Sequence, residues 1–125
     1  MFCVHGGLSP SVDTIDQFGY IDRVQEIPHD GPLCDIMWSD PWEYQGYAIS
    51  RRGAGWMFGS DITAQFHHKN GTDLLARAHQ LTMDGYDITH DGGLTTIFSA
   101  PNYTYMCGNK AAIMEIDEYN QRRYI

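Results

Sequence analysis

Two histidines follow apolar, strand-like runs and are candidates for metal chemistry. His5 ends the run "FCV", and His79 ends the run "DLLARA". Imidazole is a common neutral ligand of Zn, Mn and Fe, and polar groups beside the ends of strands often form sites. Gly6 and Gly7 would let backbone approach a metal ion, because they carry no Cβ. The alternative is that each histidine simply forms hydrogen bonds at the end of its strand.

An arginine-containing loop and two further motifs carry the other candidate groups. The loop "SRRGAGWMFG", residues 50–59, places arginine among small residues, where a planar guanidinium can bind a tetrahedral oxyanion. Asp40 of "WSDP" could pair with that arginine or orient a water molecule. Tyr103 of "SAPNY" could close over a pocket. The alternatives are a solvated arginine, a turn-forming aspartate before proline, and a tyrosine that caps the edge of the core.

The composition limits the classes of protein that the chain can represent. Its 125 residues and 42% hydrophobic content fit one domain of modest size or part of a larger one. The net charge of -8 argues against nucleic acid as a partner, because nucleic-acid-binding proteins normally carry a basic surface. We find no apolar run for a membrane span and no leader peptide. The three widely spaced cysteines indicate a reducing compartment, cytosol or nucleus.

Hydrophobic periodicity predicts the strands that would position these side chains. Buried strands are predicted at residues 2–4, 34–40 and 73–79, each ending at or beside a candidate residue. The segment "GYDITHDGGLTTIFSA" predicts a hairpin that turns at residues 91–93, and "AAIMEI" predicts a final strand.

Helices are fewer in this pattern. Apolar residues recurring in threes predict one or two short helices within residues 13–27. Another helix is predicted to begin at Ser60 or Asp61, as N-cap, and to stop at Gly71. Residues 41–57 show little periodicity and are predicted to form a long structured loop. Several buried strands with few helices are typical of an α+β protein or a layered β-core with helices outside.

Five motifs together resemble the catalytic subunits of the PPP family of serine/threonine protein phosphatases. They are HGGLSP, WSDP, RGAGWMFG, RAHQL and IFSAPNY, in the order and at the spacing of that family. The segments VHGGLSPS, RAHQLTMDGY and CGNKAAIMEID most resemble the type 2A group, which comprises the type 2A, 4 and 6 enzymes. The resemblance implies an α+β fold: part of the metallophosphatase (calcineurin-like) β-sandwich with flanking helices, which has four α/β/β/α layers in the complete domain.

The resemblance also implies a role for individual residues. The family's HGG and RAHQ histidines, here His5 and His79, bind one of two divalent metal ions. We expect manganese, with iron or zinc as alternatives. The RGAG arginine, here Arg52, binds substrate phosphate, while Asp40 supports the active centre and Tyr103 overhangs it. The substrate and inhibitor groove of type 2A enzymes is lined at positions that correspond to His29, Trp38, Leu81, Tyr103 and Cys107.

The function that the resemblance implies is metal-dependent removal of phosphate from phosphoserine and phosphothreonine in proteins. The expected partners are phosphoprotein substrates and scaffold or regulatory subunits of the type 2A kind, in the cytoplasm or the nucleus. The family's GDxHG, GDxxDRG and GNHE motifs, which supply the other metal ligands, match no segment of the chain. We therefore interpret residues 1–125 as the C-terminal portion of such a domain and expect the chain alone to be inactive. The alternative is a non-catalytic, phosphatase-like module that binds regulatory subunits.

Overall fold

The computed structural model describes residues 1–125, which form three small sheets and two α-helices. In chain order the helices are α1 (Pro32–Trp38) and α2 (Ser60–Asn70). The strands are β1 (Phe2–Cys3), β2 (Asp40–Pro41), β3 (Tyr47–Ile49), β4 (Trp56–Phe58), β5 (Leu75–Arg77), β6 (Tyr86–Thr89), β7 (Leu94–Ile97), β8 (Met114–Ile116) and β9 (Arg122–Tyr124). Neither helix is long or apolar enough to cross a membrane.

The largest sheet has four strands in the order β1-β5-β7-β6. Strands β1, β5 and β7 run parallel, with Phe2 opposite Leu75 and Leu75 opposite Leu94, and β6 is antiparallel to β7. Parallel neighbours place their carboxyl ends at the same edge of a sheet. The residues that follow β1 and β5 therefore lie close together in the fold, although they are far apart in the sequence.

The core lies against this sheet. Its buried cluster draws on the segment after β1, on β4, α2, β5 and β7, and consists of Leu8, Phe58, Phe66, Leu75 and Leu94. Phe2 packs against it and stacks on Phe18, with ring centroids 5.1 Å apart. Since the core joins the largest sheet to β4 and α2, it also fixes the positions of the loops that leave these elements.

The predicted strand at residues 34–40 is wrong, because this segment forms helix α1 and continues into β2. Gly31, at φ 87°, precedes the helix, and Pro32 occupies its first turn, where the missing N–H of proline costs no hydrogen bond. Leu33, Ile36 and Met37 recur at helical spacing, and Leu33 is buried. A short apolar run fits a buried strand and a buried helix equally well.

The predicted loop at residues 41–57 also needs correction, because it contains β3, the second residue of β2 and the first two residues of β4. They form a three-stranded sheet in the order β2-β4-β3, in which β2 is parallel and β3 antiparallel to β4. Each of these strands has only two or three residues, which is too short for alternation to show in the sequence. What remains loop between β3 and β4 is the segment that carries the candidate arginine.

The remaining predictions are mixed. Helix α2 is confirmed, and Gly71 ends it in the left-handed conformation at φ 63°, although Gly59 rather than Ser60 or Asp61 is the N-cap. The strand before His79 and the hairpin of β6 and β7 are confirmed. Within residues 13–27 only Ile15–Tyr20 is helical, as a short 3-10 segment. The strand in "AAIMEI" is β8, but it is not the last, because β9 pairs with it.

Candidate functional site

His5 and His79 meet at the carboxyl edge of the four-stranded sheet. Nε2 of His5 lies 3.1 Å from Nδ1 of His79, and the two rings are inclined at 64°. The backbone fixes this approach, because the amide of Ala78 donates to the carbonyl of His5 at 3.0 Å. The two nitrogens are therefore held at hydrogen-bonding distance from each other.

His79 adopts an uncommon backbone conformation. Its φ is 63°, in the left-handed region, which costs an ordinary L-residue roughly 1–2 kcal/mol. The Trp38 ring and its imidazole pack in a T-shaped arrangement, with centroids 5.2 Å apart and an interplanar angle of 88°. Residues strained in this way persist where their surroundings fix them, and they are concentrated at functional sites.

The charge on His79 is set by its surroundings. Burial lowers the pKa of His79 to about 4, and the positive charge of Arg52 adds to the decrease, while Asp40 opposes it. The imidazole is therefore neutral at neutral pH. Only a neutral histidine has a lone pair to offer a metal ion.

Asp40 lies between two arginines and is almost completely buried, with a side-chain exposure of 5%. Arg52 donates to it through Nε and, at 3.3 Å, through Nη2. Arg77 donates to it through Nη2 at 2.8 Å. The pairing of Asp40 with an arginine of the glycine-flanked loop is thus confirmed, and the arginine is Arg52.

Arg77 is a residue that the sequence analysis missed. Its side chain is fully buried, and besides Asp40 it donates to the carbonyl oxygens of Gly6 at 2.6 Å and Ser39 at 3.1 Å, and to Oε1 of Gln80 at 2.9 Å. Burial lowers the pKa of Arg77 to about 10, against the opposing effect of Asp40, so the guanidinium stays charged at neutral pH. It ties the segment after β1 to the end of α1. The available signal was a charged residue inside an otherwise apolar strand.

The glycines behind His5 have a packing role that differs from the expected one. An ideal Cβ on Gly6 would lie 2.6 Å from the carbonyl carbon of Met37 and 2.8 Å from the amide nitrogen of Trp38. One on Gly7 would overlap the buried ring of Phe58. The absence of side chains therefore lets this segment pack against the end of α1 and the core, which in turn fixes the position of His5.

The five predicted groove residues lie in several different local environments. Trp38 contacts His79, as described above. Tyr103 and Cys107 share a loop, in which the Cys107 amide donates to the Tyr103 carbonyl at 3.1 Å, and the half-exposed Tyr103 ring packs on Phe98. His29 and Leu81 line two different cavities. A shared groove that includes all five stays a prediction.

Known proteins that are similar to this chain in sequence and in structure are phosphoesterases. The family model described as "calcineurin-like phosphoesterase" matches residues 1–83, about two thirds of the chain. The chain belongs to the calcineurin-like phosphoesterase family. The structure also resembles a solved protein serine/threonine phosphatase from Saccharomyces cerevisiae with similarity to human phosphatase PP5, with a TM-score of 0.86 and 34% identity. The match covers 98% of this chain and 43% of that one, so the chain spans less than half of that phosphatase. The predicted α+β metallophosphatase fold is confirmed.

Calcineurin-like phosphoesterases normally bind divalent metal ions, and the histidine pair fits one such ion. Two imidazole nitrogens at about 2.0–2.1 Å from one metal, in neighbouring octahedral or tetrahedral positions, are roughly 2.8–3.4 Å apart. The observed separation of 3.1 Å lies in this range. No group of three or more His, Cys, Asp or Glu side chains in residues 1–125 could hold a metal ion. A metal ion bound by this pair would therefore need further ligands from outside residues 1–125.

Proposed function

We propose that residues 1–125 form the C-terminal portion of the catalytic domain of a type 2A-like serine/threonine protein phosphatase. Such an enzyme hydrolyses phosphoserine and phosphothreonine in proteins. The observation that carries the proposal is the His5–His79 pair, at 3.1 Å, on the same framework as the oriented guanidinium of Arg52. The 34% identity to a protein phosphatase and the five sequence motifs support it.

His5 and His79 would hold one metal ion through Nε2 and Nδ1. When bound, a pair of divalent metal ions supplies Lewis acidity and a hydroxide nucleophile at neutral pH. Manganese is the ion that we propose, with iron or zinc as the alternatives, since imidazole is a ligand for all of them.

Arg52 would bind the phosphate of the substrate. Asp40 engages its Nε and Nη2, whereas Nη1 has no hydrogen-bond partner within the chain and the side chain is 34% exposed. The guanidinium can therefore donate to phosphate oxygens while Asp40 holds its orientation. Donors that are oriented before the reaction stabilise the charge that develops on the phosphoryl oxygens.

Asp40 and Arg77 would act as positioning residues. Asp40 accepts from both arginines, and the buried Arg77 anchors it to the carbonyl groups of Gly6 and Ser39. Arg77 thus connects the phosphate-binding guanidinium to the segment that carries His5. A shift of either part would be transmitted to the other through a rigid, buried contact.

The rest of the domain would pack beside β1. This strand is an edge of its sheet, and an apolar groove of about 410 Å³ runs along it, lined by residues that include Phe18, Ile21, Ile27 and Leu33. Unpaired strand edges and exposed apolar surface favour pairing with another segment. We propose phosphoproteins as substrates and type 2A scaffold or regulatory subunits as partners, in the cytoplasm or the nucleus.

A second candidate function follows from the incomplete set of metal ligands. With two histidines and no cluster of three ligands, the chain alone lacks a complete catalytic metal site. A non-catalytic module that binds regulatory subunits, or a catalytic half, would need no further ligands. The two candidates differ in what happens when the missing ligands are supplied.

The test is reconstitution of activity on a phosphothreonine peptide with manganese present. We expect the purified 125-residue chain to be inactive alone and to become active with a separately expressed N-terminal half of a type 2A catalytic domain. Arg52→Ala should abolish that activity, whereas Arg51→Ala, at the exposed neighbouring position, should retain most of it. A complex that forms on size-exclusion chromatography but stays inactive favours the module, and activity of the chain alone contradicts the proposed division of ligands.

A further inference from the structure

A second cavity, of about 390 Å³, contains none of the residues of the histidine and arginine site. It lies between the loop that joins β3 to β4, the start of α1 and the turn after the first histidine motif. The residues that line it include Ser11, His29, Asp30, Asp35, Ile49, Ser50, Ala54 and Trp56. Its volume is within the range of pockets that bind small ligands.

Asp35 is the one deeply buried ionisable group on the wall of this cavity. Only 4% of the residue is exposed. The hydroxyl of Ser9 donates to Oδ2 at 2.7 Å, and no lysine or arginine forms an ion pair with the carboxylate. This contrasts with Asp40, which is buried to the same degree and has two arginines. Asp35 therefore lacks the positive partner that a buried carboxylate normally has.

The other groups near Asp35 do not compensate its charge. The charged neighbour that affects its pKa is Asp30, which is also acidic and also lines the cavity. Burial raises the pKa of the Asp35 carboxyl, and Asp30 adds to the increase, while hydrogen bonds from Ser9 and Trp56 oppose it. A cation placed in the cavity would supply the missing charge.

The walls define what kind of cation fits. Ile49, Ala54 and the ring of Trp56 present apolar and aromatic surface beside the carboxylate. Lysine and arginine carry their charge on an apolar stem, and both cations bind favourably to tryptophan faces. The chain as a whole carries a net charge of -8, which favours a basic partner over an acidic one.

We propose that this cavity binds a lysine or arginine side chain of a partner protein, with Asp35 as its counter-ion. The cavity includes Ser50, whose hydroxyl accepts a hydrogen bond from the backbone amide of Arg52 at 3.2 Å. An occupant of the cavity would thus contact the loop that carries Arg52. The proposal does not depend on phosphatase activity, because the cavity, the carboxylate and the aromatic wall all belong to this chain.

The experiment titrates the 125-residue chain with n-butylamine and with agmatine, and follows the indole N–H signal of Trp56 by NMR. We expect a saturable shift with both cations, and none with the neutral analogue 1-butanol. Asp35→Asn, which keeps an oxygen for Ser9 but removes the charge, should weaken amine binding at least tenfold. Asp73→Asn, which removes an exposed carboxylate elsewhere, should leave binding unchanged.

A stability measurement distinguishes a binding role from a structural one. Asp35→Asn should raise the melting temperature of the free chain, because it removes a buried charge without a counter-ion. A lower melting temperature together with unchanged amine binding would show that Asp35 is only a structural acceptor. If the variant fails to fold, equal responses of the wild-type chain to butylamine and butanol would overturn the proposal on their own.

The source of the cation is tested with peptides. Acetyl-Ala-Lys-Ala-amide should bind at the same place as butylamine, and the matched norleucine peptide should not. Binding of butylamine without binding of the lysine peptide would overturn the assignment to a protein side chain and indicate a free amine instead.

Discussion

Replacing the buried Arg77 with methionine is expected to cost far more stability than removing an exposed ion pair. Arg77 has no exposed side-chain surface, and its guanidinium satisfies one carboxylate, two backbone carbonyls and one side-chain amide oxygen. Methionine keeps most of the aliphatic stem but supplies no donor. The variant therefore leaves Asp40 with Arg52 alone and leaves the carbonyls of Gly6 and Ser39 without this donor.

The expected cost follows from these losses. Removing one partner of a buried ion pair typically costs about 3–5 kcal/mol, and each buried acceptor left unpaired costs about 1–3 kcal/mol. Arg52 still engages Asp40, which reduces the first contribution. We therefore expect Arg77→Met to lower the free energy of unfolding by about 3–5 kcal/mol, a large part of the total for a small domain.

The assay is urea unfolding followed by tryptophan fluorescence, with Lys69→Met as the matched control. Lys69 pairs with Asp13 at 2.7 Å, but both side chains are more than half exposed, so its loss should cost about 0–1 kcal/mol. A double-mutant cycle with Asp40→Asn should show coupling between Asp40 and Arg77. A cost of Arg77→Met no greater than that of the control, or strictly additive single variants, would refute the argument.

Three further predictions concern packing, pH and thiol access. Gly7→Ala should lower stability by about 1–3 kcal/mol in thermal melts, because the added Cβ would overlap the Phe58 ring. Gly19→Ala is the control and should not lower stability, since nothing lies within 4 Å of a Cβ at that position. Equal effects of the two variants would contradict this prediction. Burial lowers the pKa of His90 below 6.5, while Asp61, Asp91 and the Trp42 carbonyl oppose the shift. The unfolded chain then binds the proton more tightly, so this contribution to stability is fully present above pH 6.5 and declines as the pH falls below it. This linkage lowers the urea midpoint of unfolding as the pH falls from about 7.5 to 5, and His90→Gln should make that decrease smaller. An unchanged pH dependence of the midpoint in the variant would contradict the role of His90. Cys3 is exposed and should react quickly with a thiol reagent. Cys34 is 1% exposed, and burial raises the pKa of its thiol, so it should react only on unfolding. Equal labelling rates of the two cysteines, measured by mass spectrometry, would count against this packing.

The parts of the fold that the sequence predicted correctly have strong boundary signals. Helix α2 ends at a glycine in the left-handed conformation, and the hairpin of β6 and β7 turns at a glycine pair between β-branched residues. Strand β5 is a fully buried run that ends two residues before His79. In each case a local requirement, such as a positive φ or continuous burial, limits which residue types fit the position, so the sequence indicates the structure directly.

The segment "CDIMWSD" was misjudged because it satisfies two structures at once. Seven residues are too few to separate helical from strand periodicity, and the burial of the polar Asp35 together with Cys34 obscures the division into a polar and an apolar face. The informative residues lie just before it, where Gly31 and Pro32 together form a helix start. Attention to the boundary rather than to the apolar run would have predicted α1.

The site was predictable residue by residue but not as a network. His5, Asp40 and His79 stand out by type and by their place at the ends of apolar runs, and Arg52 stands out by its place in a loop of small residues. Arg77 does not, because its acceptors lie on Gly6, Ser39 and Asp40, and only the three-dimensional fold brings these to one guanidinium. A charged residue within a buried strand implies a buried partner, but the sequence does not say which carboxylate it is.

The left-handed backbone of His79 has a consequence for the mutational history of the chain. At a φ of 63°, glycine or asparagine fits better than histidine, so random substitution at this position has a route to greater stability. A library of the chain selected only for thermal resistance should therefore enrich glycine and asparagine at position 79. The same library selected for metal binding together with a complementary half should return histidine. Sequencing of position 79 would then show whether a population had been selected for thermal resistance or for metal binding.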